Sequence, residues 1–230
     1  MILMKGIDVS KHNDYINWGE VASSGIEFSI IRAGYGKFLN QKDIRFEENY
    51  KGAVNAGLHV GAYWYSYAKN GEEALEEAKV FYQVIKGKKF DFPVFLDIEE
   101  KCSRAYADDI VSSFCGYLES KGYYVGVYAS KSFIESYISH EVISGYCTWV
   151  AQWSGSSPSY AGPWALWQYS DSGSVNGIQG NVDMNECRYL LHDTIIRNGF
   201  NGYTKEKEAD TSHKIKLLID DNVIYEGVIE

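Results

Sequence analysis

The chain has 230 residues, 45% hydrophobic and 15% aromatic, which is enough for one large domain or one domain with a short appendage. No apolar run is long enough to span a membrane, so we expect no membrane insertion. A net charge of −9 without any block of lysine and arginine argues against nucleic-acid binding. The four cysteines stand apart without metal-binding spacing, so we expect free thiols in a reducing cytosol and neither metal nor cofactor.

Short apolar segments recur along most of the chain and predict strands. There are eight: Gly6–Val9, Phe28–Ala33, His59–Tyr67, Phe92–Glu99, Tyr123–Ala129, Cys147–Trp153, Ala165–Tyr169 and Asn181–Met184. Helical periodicity separates several of them, over Asp43–Ala56, Glu72–Lys86 and Asp108–Lys121, and a glycine follows each helix where a C-terminal cap belongs. Strands that alternate with helices predict a parallel sheet, and eight of them predict a closed barrel.

The alternation fails in the last third of the chain. The segments 154–163 and 170–180 are short and rich in glycine, serine, proline and asparagine, so neither suits a crossover helix. The last strands should therefore be joined by loops, and some can run antiparallel. We predict an α/β fold, an irregular TIM-like barrel with βα units in its first two-thirds and loop-connected β-strands at its end.

The apolar run Phe92–Glu99 ends in two carboxylates at alternate positions, Asp97 and Glu99. In a strand these side chains point to the same face, with Cα atoms about 6.5 Å apart. Because two neighbouring carboxylates repel each other, one should keep its proton near neutral pH. Glycoside hydrolysis uses a pair of acids in this way.

Further acids stand at other predicted strand ends. Asp8 ends the first strand and Asp183 lies near the end of the last, and these two strands are neighbours in a closed barrel. The carboxyl ends of barrel strands gather around one mouth, so we expect Asp8, Asp97, Glu99 and Asp183 to converge there. No lysine or arginine is evident among them, and such a cluster is electrostatically unfavourable unless it serves a function.

Aromatic residues follow the same strand ends. About half of them should only fill the barrel, but tyrosine and tryptophan combine a flat apolar face with a polar tip, which suits a sugar-binding groove. In the third strand, alternation places Tyr63, Tyr65 and Tyr67 on one face and Trp64 on the other. The candidate substrate-binding residues are Tyr35, Tyr63, Tyr65, Tyr128, Trp153, Gln168 and Tyr169.

Several motifs occur in order and at characteristic intervals. They are residues 6–10 (Gly-Ile-Asp-Val-Ser), 32–36 (Arg-Ala-Gly-Tyr-Gly), 61–65 (Gly-Ala-Tyr-Trp-Tyr), 96–99 (Leu-Asp-Ile-Glu), 127–130 (Val-Tyr-Ala-Ser) and 149–153 (Trp-Val-Ala-Gln-Trp), followed by the long motif 167–185. Together they resemble glycoside hydrolase family 25, the lysozymes of bacterial autolysins and phage endolysins. The resemblance covers roughly residues 5–195.

The resemblance implies an N-acetylmuramidase that cleaves the β-1,4 bond between N-acetylmuramic acid and N-acetylglucosamine in peptidoglycan. Glu99 matches the general acid, which proximity to Asp97 and partial burial would keep protonated. Asp97 matches either a nucleophile or a residue that orients the substrate's N-acetyl group, and Asp8 and Asp183 match positions that orient this pair. The close spacing of Asp97 and Glu99 favours retention of configuration. No metal is required.

Two other functions compete with this interpretation. An N-acetylglucosaminidase or chitinase-like barrel usually carries additional Asp residues before Asp-x-Glu, where this chain has Phe92, Pro93 and Phe95. A non-catalytic wall-binding protein on the same fold would be expected to have lost at least one of the four acids. Serine or cysteine hydrolase chemistry lacks a motif.

The composition changes near residue 201. We predict a catalytic barrel over residues 1–200, a polar linker over 201–213 and a β-hairpin over 214–230, which is either the start of a truncated wall-binding module or a surface for oligomerisation. The amino terminus lacks the apolar core of a signal peptide. We therefore expect a phage endolysin made in the host cytoplasm and released to the wall through a phage pore, with a bacterial autolysin as the alternative.

Overall fold

The computed structural model describes residues 3–205, 213–219 and 222–229. Eight strands close into one barrel in chain order: β1 Met4–Val9, β2 Phe28–Tyr35, β3 His59–Tyr65, β4 Val94–Asp97, β5 Val125–Ser130, β6 Cys147–Ala151, β7 Leu166–Gly173 and β8 Val182–Cys187. The α-helices are α1 Trp18–Ser23, α2 Phe46–Asn55, α3 Gly71–Ile85, α4 Ala107–Glu119, α5 Lys131–Tyr137, α6 His140–Ile143 and α7 Leu191–Asn198. None of these helices is long and apolar enough to cross a membrane.

The direction of the strands changes at the end of the barrel. Strands β1 to β7 are parallel to their neighbours, whereas β8 is antiparallel to both β7 and β1 and closes the barrel between them. The segments 152–165 and 174–181, which join the last three strands, contain no helix. The prediction of an irregular α/β barrel with loop-connected final strands is confirmed.

Two apolar layers hold the barrel together. Inside it, the rings of Phe28 and Phe92 stack with centroids 4.7 Å apart, and Phe95 packs against Trp149. Outside it, the ring of Trp64 in β3 stacks on that of Phe81 in α3, with centroids 5.4 Å apart. Tyr63 and Trp64 therefore face opposite sides of the strand, as the alternation predicted, because successive strand residues point to opposite faces.

The predicted helices form, with shifted starts. The helix predicted from Asp43 begins at Phe46, because Asp43 accepts a hydrogen bond from the backbone N–H of Arg45 (2.9 Å) and so forms the turn that precedes it. Ile44, an apolar residue within the predicted helix, lies in this turn and is 83% exposed. Gly57, one of the predicted caps, has a φ of 80°, which an L side chain rarely adopts.

The domain boundary at residue 201 stays a prediction, but Asn201 itself is tied to the barrel. Asn201 is fully buried; its side chain accepts from the N–H of Tyr124 (2.7 Å) and donates to the carbonyl of Phe92 (2.9 Å). It therefore connects the segment after α7 to the starts of β4 and β5 at the base of the barrel. Most of the predicted linker, 206–212, lies outside the described residues. Beyond it, β9 (His213–Ile219) and β10 (Asn222–Ile229) pair antiparallel, as a hairpin requires.

Candidate active site

A cavity of about 360 Å³ opens at the mouth where the parallel strands end. Asp8 is the penultimate residue of β1, Asp97 is the last residue of β4 and Glu99 follows two positions later. All three line the cavity together with Asp183. The structure thus brings the four predicted acids together, and Asp97 and Glu99 face the same side.

Asp183 reaches this mouth by a different route from the one predicted. It was placed at the carboxyl end of the last strand, but it is the second residue of β8. Because β8 runs antiparallel, its amino end lies where the other strands have their carboxyl ends, and Asp183 is directly opposite Asp8 in the register.

A second cavity, of about 570 Å³, lies at the opposite end of the barrel. It is lined by residues at the starts of β5 and β6, Val125 and Cys147, and its one carboxylate is Glu119. Volume therefore does not single out the candidate site; the convergence of carboxyl groups does.

Two amides hold the carboxyl group of Asp8. Its Oδ2 accepts hydrogen bonds from Nε2 of Gln168 (2.9 Å) and from Nδ2 of Asn185 (2.8 Å). Trp149 donates from its indole N–H to Oδ1 of Asn185 (2.8 Å), which fixes the orientation of that amide. Since each of these polar groups is buried and paired, the position of Asp8 is set before any substrate arrives.

Gln168 links this network to the rim. Its Oε1 accepts from the hydroxyl of Tyr128 (2.9 Å) and from the indole N–H of Trp153 (3.0 Å). The Trp153 side chain is 57% exposed, so the network runs from a surface ring to a buried acid.

Asp8 and Asp183 form one titrating pair. Burial raises the pKa of Asp8 well above its ordinary value, and the charge of Asp183 raises it further, while the bonds from Asn185 and Gln168 act in the opposite direction. The pKa of Asp183 is also raised, chiefly by burial, and its hydrogen bond with Asp8 opposes that rise. Asp8 is the more deeply buried of the two, and burial favours the protonated form of a carboxyl group.

Burial, more than charge repulsion, sets the acidity of Asp97 and Glu99. The pKa of Asp97 lies well above its ordinary value because of burial first and the charge of Glu99 second. The pKa of Glu99 is raised by burial, then by the charges of Glu100 and Asp183. The sequence predicted that Asp97 and partial burial keep Glu99 protonated; burial is the largest cause in the structure, and the charge that follows it is that of Glu100 and not of Asp97.

One cation lies at the site, contrary to the expectation of none. Arg32 of β2 lines the cavity, and its positive charge acts to lower the pKa of Asp97. The arginine is held from behind, since its Nε donates to Oδ2 of buried Asp43 at 2.8 Å. A single arginine already paired with another acid offsets only part of the charge of four carboxyl groups.

The predicted substrate-binding residues divide into three groups. Tyr63, Tyr65, Tyr128 and Gln168 line the cavity with the acids. Tyr35 lines an adjoining recess, and Trp153 stands at the rim through its bond to Gln168. Tyr169 is not brought to the site: it lies on the other face of β7 from Gln168, with its ring 5.5 Å from that of Trp167.

The site also contains three residues that were not predicted from the sequence: Arg32, Trp149 and Asn185. All three lie within the motifs that suggested the family, and each alternates with residues of opposite orientation along its strand. Period-2 alternation from Asp183 would have placed Asn185 beside it. Among the described residues, no group of three or more His, Cys, Asp or Glu side chains is arranged to hold a metal ion.

A family model described as "Glycosyl hydrolases family 25" matches residues 7–178, more than half of the chain. The chain belongs to this family. The resemblance drawn from the motifs is therefore confirmed, and the model covers three of the four acids, with Asp183 just beyond its end.

Comparison with individual proteins also finds lysozymes and an endolysin. The "Autolytic lysozyme" of Clostridium acetobutylicum is 34% identical over 186 residues, which are 80% of this chain and 55% of that protein. The chain thus spans about half the length of this relative. The crystal structure of the bacterial lysozyme from Streptomyces coelicolor matches with a TM-score of 0.73 and 29% identity, over 82% of this chain and 95% of that one. The structure of the CTP1L endolysin matches with a TM-score of 0.76 and 26% identity, over 84% of this chain and 69% of that one.

Proposed function

We propose that the protein is an N-acetylmuramidase that hydrolyses the β-1,4 bond between N-acetylmuramic acid and N-acetylglucosamine in peptidoglycan. The observation that carries the proposal is the partly buried carboxyl group of Glu99, whose pKa is raised in a cavity that also holds Asp97. A carboxyl group that keeps its proton near neutral pH can act as general acid at a glycosidic oxygen. Membership in the glycosyl hydrolase family and similarity to lysozymes support the same substrate class.

Glu99 acts twice in the proposed reaction. As the bond between the anomeric carbon and the leaving oxygen breaks, its electron pair stays on that oxygen, which takes the proton of Glu99. In the second half, the Glu99 carboxylate removes a proton from the water that attacks the anomeric carbon. The acid is thereby restored, and water has been added across the glycosidic bond.

For Asp97 we propose the role of orienting the substrate's own N-acetyl group. Its Oδ1 is buried and has no hydrogen-bond partner within residues 3–205, so a bound acetamido N–H would supply the missing donor. Such a bond lowers the pKa of Asp97 and lets the carboxylate form as substrate enters. The acetamido carbonyl oxygen then attacks the anomeric carbon as the leaving group departs, and water later displaces it. Two displacements at one carbon retain its configuration.

Asp8 and Asp183 hold the floor of the cavity in this proposal. The protonated Asp8 donates to Asp183, so the pair carries one negative charge beside the anomeric carbon instead of two. One fixed negative charge stabilises the positive charge that develops on the sugar ring in the transition state.

A product analysis tests the proposal. Purified peptidoglycan is digested, the soluble fragments are reduced with borohydride, and the new ends are identified by mass spectrometry. Muramitol at the new ends supports a muramidase, whereas glucosaminitol identifies an N-acetylglucosaminidase and contradicts the proposal. Binding without release of fragments would identify a wall-binding protein without activity.

We further propose that the enzyme serves as a phage endolysin, supported by its similarity to the CTP1L endolysin; the similarity to an autolytic lysozyme supports the bacterial alternative. The test is expression of the chain in the cytoplasm of a bacterium with susceptible peptidoglycan. Lysis that begins only after the membrane is permeabilised supports an endolysin that awaits a pore. Lysis in cells with intact membranes contradicts it.

For the carboxy-terminal hairpin we propose a role in wall binding. The support is the pairing of β9 with β10 and the greater length of the autolytic lysozyme, which leaves room for a further module. A chain ending at residue 205 should sediment less with insoluble peptidoglycan than the full chain, at equal rates on soluble glycan. Equal sedimentation of the two chains would contradict the proposal, and a change of oligomeric state would favour association through the hairpin.

A further inference from the structure

A recess of about 270 Å³ adjoins the catalytic cavity. We call it the basic recess; it is lined by Lys11, His12, Arg32, Tyr35, Tyr65 and Tyr67. His12, Arg32 and Tyr65 also line the cavity that holds the four acids. A sugar chain bound across the acids therefore has substituents within reach of the basic recess.

None of the residues that line the basic recess is an acid, in contrast to the cavity beside it. Two carboxylates lie behind the lining: Asp43 accepts from Arg32, and Glu100 accepts from the hydroxyl of Tyr65 (2.9 Å). Lys11 is exposed, and its ammonium forms no ion pair with the described residues. The Arg32 guanidinium forms its one side-chain bond in the described part of the chain through Nε, and its Nη2 is buried without a partner. Donors here outnumber acceptors, which is the arrangement that receives an anion.

Asp43 positions Arg32 and Lys11, two residues that line the basic recess, in the absence of a ligand. Its Oδ2 accepts both from Nε of Arg32 (2.8 Å) and from the backbone N–H of Lys11 (3.0 Å). One buried carboxylate thus ties the loop after β1 to β2 and fixes the plane of the guanidinium. A guanidinium fixed in this way loses less side-chain entropy when it binds a planar anion.

We propose that the basic recess binds a carboxylate carried on the muramic acid residue of the substrate, with Lys11 and Arg32 as its partners. The inference rests on the proposed function and deepens it, because N-acetylglucosamine has no such group. Guanidinium and ammonium groups form charge-assisted hydrogen bonds with carboxylates, and these are the stronger class of hydrogen bond. Two sources offer the carboxylate: the free lactyl group where the stem peptide has been removed, and the stem peptide itself where it is attached.

Three soluble glycan substrates separate these sources. The first carries stem peptides, the second has been stripped by an amidase so that its lactyl carboxylates are free, and the third is the stripped glycan with those carboxylates converted to neutral methylamides. The wild type is compared with Lys11→Gln and with the matched control Lys51→Gln. Lys51 is exposed on α2, away from the site, and its substitution removes the same unit of charge.

We expect Lys11→Gln to raise KM about three- to tenfold on a carboxylate-bearing glycan, with kcat unchanged, and Lys51→Gln to leave KM unchanged. On the methylamide glycan, wild type and Lys11→Gln should have the same KM. An effect on the stripped glycan identifies the lactyl group, and an effect confined to the peptide-bearing glycan identifies the stem peptide. A second variant, Arg32→Lys, keeps a positive charge next to Asp43 but loses the planar fork, and should raise KM on the same glycan.

Equal effects of Lys11→Gln on the charged and neutral glycans would overturn the inference. So would a change confined to the pH profile, which would indicate that Lys11 only offsets the charge of the four acids. Binding of each glycan is also measured by calorimetry with a Glu99→Gln background. The absence of cleavage by the wild type then contradicts the proposed function, while equal affinities with and without Lys11 contradict the basic recess.

Discussion

Glu99 and Asp97 show how a protein uses burial to set the acidity of two neighbouring carboxyl groups. Both pKa values are raised, and for both the largest cause is the loss of hydration in the cavity. The groups differ in their partners: Asp97 has an oxygen without a hydrogen bond in the described chain, while Glu99 lies beside Glu100. The first difference fits a residue that waits for a substrate donor, and the second fits an acid that must stay protonated.

Replacement of Glu99 tests the assigned proton donor. Glu99→Gln keeps the shape of the side chain but can neither give nor take the proton, so kcat should fall about 10²–10⁴-fold. The rate of release of reducing ends from soluble glycan measures it, and circular dichroism checks that the fold is intact. Retention of more than a few per cent of the wild-type rate would remove Glu99 from this role.

Glu100 offers a milder change at the same place. Its negative charge raises the pKa of Glu99, and its Oε1 accepts from the hydroxyl of Tyr65 at 2.9 Å. Glu100→Gln retains an acceptor for Tyr65 but removes the charge, so the pKa of Glu99 should fall. Because the proposed general acid acts in its protonated form, the alkaline limb of the kcat/KM profile should move to lower pH. An unchanged limb would show that burial and Asp183 set the pKa of Glu99 without Glu100.

At the scale of elements, a glycine in a barrel strand leaves room for an aromatic ring of the interior to pack against the backbone. A Cβ on Gly126 of β5 would collide with the ring of Phe95 and lie 2.5 Å from the carbonyl oxygen of Cys147. Gly116 of α4 is different, because a Cβ there would meet nothing within 4 Å. The same substitution should therefore have opposite effects at the two positions.

We expect Gly126→Ala to lower the free energy of unfolding by about 1–3 kcal/mol, since the interior has no room for a methyl group. Gly116→Ala should raise it by about 0.5–1 kcal/mol, because alanine favours a helix and loses less backbone entropy on folding. Denaturant titration followed by fluorescence measures both. If Gly126→Ala were neutral, the barrel interior would be looser than these contacts indicate.

The elements also show what the sequence can and cannot predict. Apolar runs, helical spacing and glycine caps gave the order of strands and helices, because these patterns depend on local geometry and burial. Alternation cannot give strand direction, which is why Asp183 was placed at the wrong end of β8. It also leaves open which face of β7 is inside, and Tyr169 was assigned to the site when only Gln168 points there.

Long-range polar contacts were beyond the reach of these patterns. The side chain of Asn201, where the predicted linker starts, bonds to the backbone N–H of Tyr124 and the backbone carbonyl of Phe92, and its polar neighbourhood gave no sign of this. Arg32 was not nominated because its partner Asp43 lies on another element. Such pairings depend on which segments meet in the closed barrel, and only the assembled fold shows them.

On the scale of the whole molecule, the concentration of acids at one mouth should weaken the fold above the ordinary pKa of a carboxyl group. All four acids have raised pKa values. Between the unfolded and the folded pKa of such a group, the folded protein binds more protons than the unfolded chain, so stability falls as pH rises through that window. Under the proposed mechanism, the acids that stabilise positive charge in the transition state therefore lower the stability of the protein without substrate.

Asp97→Asn tests this cost in the intact protein. The ordinary pKa of Asp97 is 3.8 and its folded value lies well above, so the wild type loses stability as pH rises from near 4 through the folded pKa, and the variant does not. Each unit of pKa difference is worth about 1.4 kcal/mol, and each kcal/mol raises the melting temperature of a chain of this size by about 2–4 °C. We therefore expect the inactive Asp97→Asn to melt several degrees above the wild type at pH 8 and close to it at pH 4.

Asp43→Asn is the control, because this buried acid is paired with Arg32, and its loss should lower the melting temperature at both pH values. If Asp97→Asn melted below the wild type at pH 8, contacts within the protein would be stabilising the Asp97 carboxylate. The unpartnered Oδ1 would then no longer support a hydrogen bond from the substrate.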